Sequence, residues 1–194
     1  NGANMAVLLF TGGTTGVSKG VPHTHEQVIA SLLAIEDRWP PSLDCEVFLN
    51  IPPLFHIVGL YHGCFQPVFG RSTAVLISRF EPEEVFNLIN KYRVSIFIAG
   101  VPAAYIAMLN HPAFDKVNYK SIRFACGGGA PLAKETLHEW ERRTGVPALE
   151  GYGMTEGAPT CNNPFSGERR VLSVGKPVYG IELEIVDVAT GTIE

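Results

Sequence analysis

Short apolar runs, each closed by Gly or Pro, alternate with helical patterns along the chain, and this alternation restricts the fold more than any other feature. Residues 6–10, 47–51, 73–77, 94–98, 122–126 and 148–149 read as short strands. A brief apolar run bounded by turn residues is the pattern of a buried strand. Between the strands, Val28, Ile29, Leu32, Leu33 and Ile35 fall at helical spacing, closed by Pro40 and Pro41. Segment 57–69 reads as a buried helix. Glu81-Pro82-Glu83-Glu84 starts another, with Pro in the first turn and acids that complement the helix dipole. Val101-Pro102 opens a helix through Leu109, and the amphipathic helix 132–143 is closed by Gly145. Residues 182–187 alternate and read as a strand of a half-exposed sheet. Strands linked by helical crossovers imply an α/β fold, with a mainly parallel sheet covered by helices on both faces.

In such folds, ligands bind beyond the carboxyl ends of the strands. Three Gly-rich loops follow strands here, at 11–20, 127–131 and 151–157, and all three are expected to converge on one site. The first holds Thr11, Gly12, Gly13, Thr14, Thr15, Gly16, Ser18 and Lys19. Glycines let the backbone turn sharply and bring its N–H groups close to a ligand. Hydroxyls and an ammonium add donors, making a cradle suited to a polyphosphate. A plain surface linker has no use for two Thr and a Lys between close glycines. The P-loop of nucleotide hydrolases fails twice: reading from Gly13, Ser18 stands where Gly is required and Gly20 where Ser or Thr is required. The dinucleotide pattern G-x-G-x-x-G fails because Gly12 and Gly13 are adjacent.

Net charge over the 194 residues is −4 with no basic stripe, which disfavours nucleic acid as a partner. The four cysteines are scattered, so neither a disulfide framework nor a zinc site is supported. Reduced thiols in a cytoplasmic enzyme are the simplest reading. His56 and His62, and likewise His23 and His25, have no acidic partner at zinc spacing, and a metal site built on them is rejected. His25 is expected at the entry to the following helix. The longest mostly apolar run, 96–109, is too short to span a bilayer and is interrupted by Pro102, so it reads as core. No signal peptide is expected. Both ends read as cut from a longer chain.

At this point the chain resembles the adenylate-forming superfamily of acyl- and aryl-CoA synthetases, luciferases and nonribosomal peptide adenylation domains. Its first signature, T-[SG]-G-[ST]-T-G-x-P-K-G, is matched from Thr11 to Gly20, with Ser18 in place of Pro and Gly12 in place of the commoner Ser. Both changes are expected to loosen the loop. Pro53-Leu54-Phe55-His56-Ile57-Val58-Gly59 is similar to the acyl-site segment, and Gly128-Gly129-Ala130-Pro131-Leu132 to the adenine-contacting turn. Glu150-Gly151-Tyr152-Gly153-Met154-Thr155-Glu156 resembles [QE]-G-Y-G-x-T-E, and Val174-Gly175-Lys176-Pro177 resembles the segment that follows it. Five motifs in order cover most of the chain.

The resemblance implies a flavodoxin-like part of a large N-terminal AMP-binding domain, with a further β subdomain beginning at about 170–194 and a C-terminal lid domain absent. It implies that ATP and a carboxylate form an acyl adenylate, which coenzyme A then attacks. Two anions must be brought together, so positioning and charge stabilisation outweigh acid–base work. Thr11, Gly12, Gly13, Thr14, Thr15, Gly16 and Lys19 would hold the β- and γ-phosphates. Gly129, Ala130 and Pro131 would meet the adenine edge, Tyr152 would stack on it, and Glu150, Gly151, Gly153 and Met154 complete the nucleotide segment. Thr155 would donate to the α-phosphate. Glu156 is the expected Mg²⁺ ligand, since that ion commonly uses one or two carboxylates with phosphate oxygens and water. His56 is assigned to positioning, because the acid is already ionised at neutral pH.

The acyl pocket implied by the resemblance is lined by His56, Val58, His62, Gly128, Gly153 and Thr160. No acidic residue lies between Leu54 and Gly59 to pair with a substrate amine, which disfavours amino acids. The wording around Val101-Pro102-Ala103 and Tyr152 to Glu156 is most similar to fatty-acid–CoA ligases. An aryl acid stays open, as does a noncatalytic nucleotide- or acyl-binding module. The ribose-binding Asp, hinge and second catalytic Lys of the family fall beyond Glu194. The 194-residue piece alone is therefore expected to be feebly active at best.

Overall fold

The computed structural model describes residues 1–12, 17–41, 44–157 and 159–193. In chain order the strands are β1 (Met5–Thr11), β2 (Lys19–Thr24), β3 (Val47–Asn50), β4 (Thr73–Leu76), β5 (Ile96–Gly100), β6 (Phe124–Gly127), β7 (Ala148–Tyr152), β8 (Cys161–Asn162) and β9 (Lys176–Pro177). The α-helices are α1 (His25–Arg38), α2 (Ile57–Leu60), α3 (Gln66–Phe69), α4 (Pro82–Tyr92), α5 (Pro102–Leu109) and α6 (Lys134–Thr144).

Among the described residues the main sheet has the order β4-β3-β5-β6-β7-β8-β9. The first five run parallel, and β8 and β9 add antiparallel. Ordered by first appearance, the parallel part is 2-1-3-4-5, a flavodoxin-like arrangement. The pleat sorts neighbouring residues onto opposite faces. Leu49, Phe97, Ala125 and Ala148 enter a core with α4, α5 and α6, centred on Trp140, which stacks on Phe97 at 5.7 Å. Phe48, Ile96, Ile98, Phe124, Cys126 and Leu149 face a second core with α1 and α2. Burial on both faces explains why these strands read as unbroken apolar runs.

Helix boundaries follow local chemistry. Thr24 and Gln27 form a reciprocal capping box that starts α1 at His25. Pro82 and Pro102 occupy first turns, and Gly145 closes α6 with a left-handed backbone. The expected single helix at 57–69 is broken into three pieces: α2, a π-helical segment Tyr61–Phe65, and α3. The π segment faces the site described below.

Two expectations change. The run at 6–10 is not a buried strand of the parallel sheet. It lies in β1, which pairs with β2 as a separate antiparallel hairpin. Only Leu9 of that run is buried; Phe10 is 65% exposed. Apolar side chains had suggested a two-sided core, but the hairpin has only one covered face. Residues 182–187 form no strand; they are largely exposed, with an isolated bridge from Val186 to Ile193 and turn hydrogen bonds from Asp187 to residues 189–192. An alternating sequence becomes a strand only with a partner edge, and among the described residues 182–187 have only the single bridge to Ile193.

Candidate active site

A cavity of about 280 Å³ opens where β5, β6 and β7 end, on the sheet face covered by α1 and α2. This is the carboxyl edge of the parallel strands, where the free peptide groups of strand ends and following loops face solvent. Gly100, Gly127, Gly128 and Gly129 form one wall, Gly151 to Thr155 a second, and His56 to Val58 with Tyr61 and His62 a third. The second and third Gly-rich loops therefore meet, and residues 56–58 join them.

Backbone contact brings those loops together. The Gly128 N–H donates to Gly100 O at 2.7 Å. A Cβ on Gly128 would lie 2.7 Å from Gly151 O, so the loop after β6 packs directly on β7 only because this residue has no side chain. Glu150 adds a third link. It is buried, and its Oε1 accepts from the Leu132 N–H at 3.0 Å, fixing the end of the 127–131 turn. Its Oε2 is buried with no hydrogen-bond partner.

The hairpin reaches the same site by a different route. Thr11 lies opposite Lys19 in the β1–β2 register, as the last pair of the hairpin. Gly12 is exposed, and Gly13, Thr14, Thr15 and Gly16 lie outside the described residues. Neither Thr11 nor Lys19 lines the cavity. The buried His23 on β2 donates from Nε2 to the Thr155 carbonyl oxygen at 2.8 Å, tying the hairpin to the third loop.

His56 caps α2, its Nδ1 accepting from the Val58 N–H at 3.2 Å. That bond leaves Nε2 as the protonated nitrogen of a neutral ring. His62 lies in the π segment, and its Nδ1 donates to Gln66 Oε1 at 2.8 Å. Burial pushes the His62 pKa below its ordinary value, although the Gln66 bond works against the shift. Irregular helix of this kind recurs at functional sites, where it re-aims side chains.

The remaining expected residues separate into two groups. Val58, Gly153, Met154 and Thr155 line the cavity, and Tyr152 lines it with a half-exposed ring. Glu156 is exposed beside Thr155, in a turn closed by the Gly157 N–H on Met154 O. Its carboxylate forms no ion pair or hydrogen bond among the described residues, so it is available to a cation. A Mg²⁺ there would depend on ligand oxygens for the rest of its shell; no cluster of three potential metal-binding side chains exists among the described residues. Ala130 and Pro131 are exposed and outside the lining. Thr160 does not line the cavity either: its hydroxyl donates to Gly157 O and its N–H to Tyr152 O.

Sequence reasoning missed three contributors. Trp39, at the end of α1, lines the cavity while its Nε1 donates to Asn163 O at 2.7 Å. Asn162 lines it from β8, and His23 holds Thr155. The adjacent amides Asn162-Asn163 before Pro164 were the available signal, since two amides seldom enter an apolar neighbourhood without partners.

The AMP-binding enzyme family is matched across residues 1–193. A malonate–CoA ligase of Arabidopsis thaliana is 32% identical over 197 residues, covering 93% of this chain and 32% of that protein. A long-chain-fatty-acid–CoA ligase of Bacillus subtilis is 31% identical over 192 residues, covering 98% and 34%. The chain thus spans about a third of the length of the curated relatives it matches. Among solved structures, ATP-bound MatB from Rhodopseudomonas palustris superposes with a TM-score of 0.88 at 29% identity, covering all of this chain and 38% of that one.

Proposed function

The chain belongs to the AMP-binding enzyme family, and from that premise we propose that the protein containing it activates a carboxylic acid with ATP and passes the acyl group to coenzyme A. The observation that carries this reading is the meeting of Gly128 and Gly129, Tyr152 to Thr155, and His56 around one cavity. The acid's carboxylate would attack the α-phosphorus, forming the carboxyl–phosphate bond and expelling pyrophosphate. Coenzyme A thiol would then displace AMP from the acyl carbon.

Each residue has a role that its position allows. The half-exposed Tyr152 ring offers a face for adenine. The Gly129 turn brings backbone close to the base edge. The Thr155 hydroxyl supplies a donor for the α-phosphate, where charge builds as pyrophosphate leaves. Thr11 and Lys19 stand at the base of a segment suited to the departing phosphates. His56 presents a neutral Nε2–H donor to the incoming carboxylate. Glu156 would hold Mg²⁺, which when bound neutralises phosphate charge.

No Asp, Glu, Lys or Arg lines the cavity among the described residues, so the tail of the acid is neutral. A fatty acid meets that condition, and the long-chain-fatty-acid–CoA ligase relative supports it. An aryl acid meets it too, on the flat Trp39 and Tyr61 walls. We place the protein in the cytoplasm; no helix among the described residues is long and apolar enough to cross a membrane.

The test is acid-dependent exchange of pyrophosphate into ATP by the parent protein. Exchange is expected only with an acid present, and Glu156→Ala should lower it by about 10²-fold, the scale on which a lost transition-state contact acts. Acid-independent ATP hydrolysis would instead identify a hydrolase. Nucleotide binding with no exchange for any acid would identify a binding module.

A further inference from the structure

We propose that Trp39 sets the length of the acid this protein activates: the apolar tail ends against its indole, which holds the enzyme to short or compact acids. This rests on the acid-activating reading above and narrows its substrate class.

The cavity divides by exposure. Gly129, Tyr152, Gly153 and Met154 line its exposed mouth, where a charged nucleotide keeps contact with water. Ile35, Trp39, Ile57, Ile98 and Cys126 line it from the buried side. An apolar tail gains most by entering that side, since each buried methylene is favourable. Trp39 caps the C-terminus of α1, one turn after Ile35, and its N–H donates to Ile35 O at 2.8 Å. The helix end therefore carries the indole to the cavity.

The indole is a fixed wall. Its Nε1 donates to Asn163 O at 2.7 Å. Its ring lies 6.2 Å from that of Phe124 and 5.7 Å from that of His62. Its edge sits over Gly151, where a Cβ would lie 3.3 Å away, so the glycine admits the ring. Phe124 and Asn163 are themselves buried, at 1% and 2% exposure, so packed chain rather than solvent backs the ring. A longer tail would have to displace the indole from that packing, and a dense interior yields little. Pockets that take drug-sized ligands measure about 300–1,000 Å³. At about 280 Å³, with Trp39 on its buried side, this cavity suits a short or compact acid.

The experiment runs two homologous series on the parent protein: linear acids from butanoate to hexadecanoate, and benzoates with para-alkyl chains of growing length. The readout is the kcat/KM ratio of longer to shorter acid in pyrophosphate exchange, which cancels any loss of folded enzyme. In the active series, kcat/KM is expected to fall by about 10-fold or more from octanoate to dodecanoate, or from butylbenzoate to octylbenzoate, the scale of a pocket misfit. Trp39→Ala should restore the longer acid by a similar factor. Trp39→Leu carries the same test if Ala does not fold. Leu32→Ala thins the same core from α1 without lining the cavity, and should leave the ratio unchanged. A level or rising profile through the longer acids overturns the proposal, as does a ratio that Trp39 variants leave alone or that Leu32→Ala shifts equally. Exchange confined to dicarboxylic acids overturns it too, but leaves the adenylation reading standing. Absence of exchange with every linear, aryl and dicarboxylic acid overturns both.

Discussion

His23 and Thr155 are 132 residues apart in the chain, yet the imidazole Nε2–H of one donates to the backbone oxygen of the other at 2.8 Å. The bond joins two separate sheets. His23 belongs to the two-stranded hairpin of β1 and β2, and Thr155 follows β7 of the main sheet. His23 also meets the Tyr61 ring edge-on at 6.3 Å, so the hairpin touches the third cavity wall as well.

His23→Leu should loosen that link without unfolding the sheet. The lost bond is worth about 0.5–1.5 kcal/mol. If it sets the position of Thr155 during adenylation, the exchange rate should fall up to about 10-fold. His23→Gln, which keeps a donor, should recover part of it. Pyrophosphate exchange alongside a thermal melt separates the two effects: a lower melting temperature with unchanged kcat would make the link structural only.

Glu150→Ala should raise the KM for ATP, because it leaves the buried Leu132 N–H unpaired beside the proposed adenine turn. The stability cost is about 1–3 kcal/mol. Glu150→Gln keeps an acceptor for that N–H and replaces a carboxylate whose other oxygen has no partner. It should be near neutral in denaturant titration. Equal losses from both variants would show that the charge matters rather than the hydrogen bond.

Gly128→Ala should separate the loop after β6 from β7, since its Cβ would meet the Gly151 carbonyl oxygen at 2.7 Å. Overpacking of this kind costs about 1–3 kcal/mol, and the contact is backbone, which yields little. Nucleotide affinity, read by calorimetric titration, is expected to drop more than stability. Gly157→Ala is the control, as a Cβ there meets nothing within 4 Å.

Acid should destabilise the fold in two steps. The His62 pKa is pushed below its ordinary 6.5 by burial. The unfolded chain therefore takes up a proton that the folded chain resists, and stability starts to fall as pH drops below about 6.5. Glu141 is raised by burial but more strongly lowered by Arg169 and the Ala148 N–H, leaving it below its ordinary 4.5. Its contribution is complete above about 4.5 and is lost as pH falls through the depressed folded value. Thermal melts against pH should show His62→Asn removing the upper step and Arg169→Met weakening the lower one.

Much of this architecture is legible in the chain. Pro82, Pro102 and Gly145 fix helix ends through local backbone chemistry, and the apolar runs of β3, β5 and β6 reflect burial on both faces. The Tyr152 to Glu156 motif is legible for the same reason, being a contiguous run. The β2 strand, Lys-Gly-Val-Pro-His-Thr, is not legible, because it has Pro22 and no apolar run and exists only through pairing with β1. The reading of 182–187 failed in the opposite direction, with a strand-like pattern that lacks a partner edge.

By itself the sequence determined the alternation of parallel strands with crossover helices, the helix ends at Pro82, Pro102 and Gly145, and the Gly-rich loops that follow β6 and β7, since all of these depend on neighbours within a few residues. Only the tertiary structure decided that β1 leaves the main sheet, that Glu150 holds Leu132, that Trp39 and Asn162 line one cavity, and that His23 bonds to Thr155 in its wall. Those relations join residues far apart in the chain. They depend on where the sheet ends bring backbone into contact, at Gly128 and Gly151, and no local pattern encodes that distance.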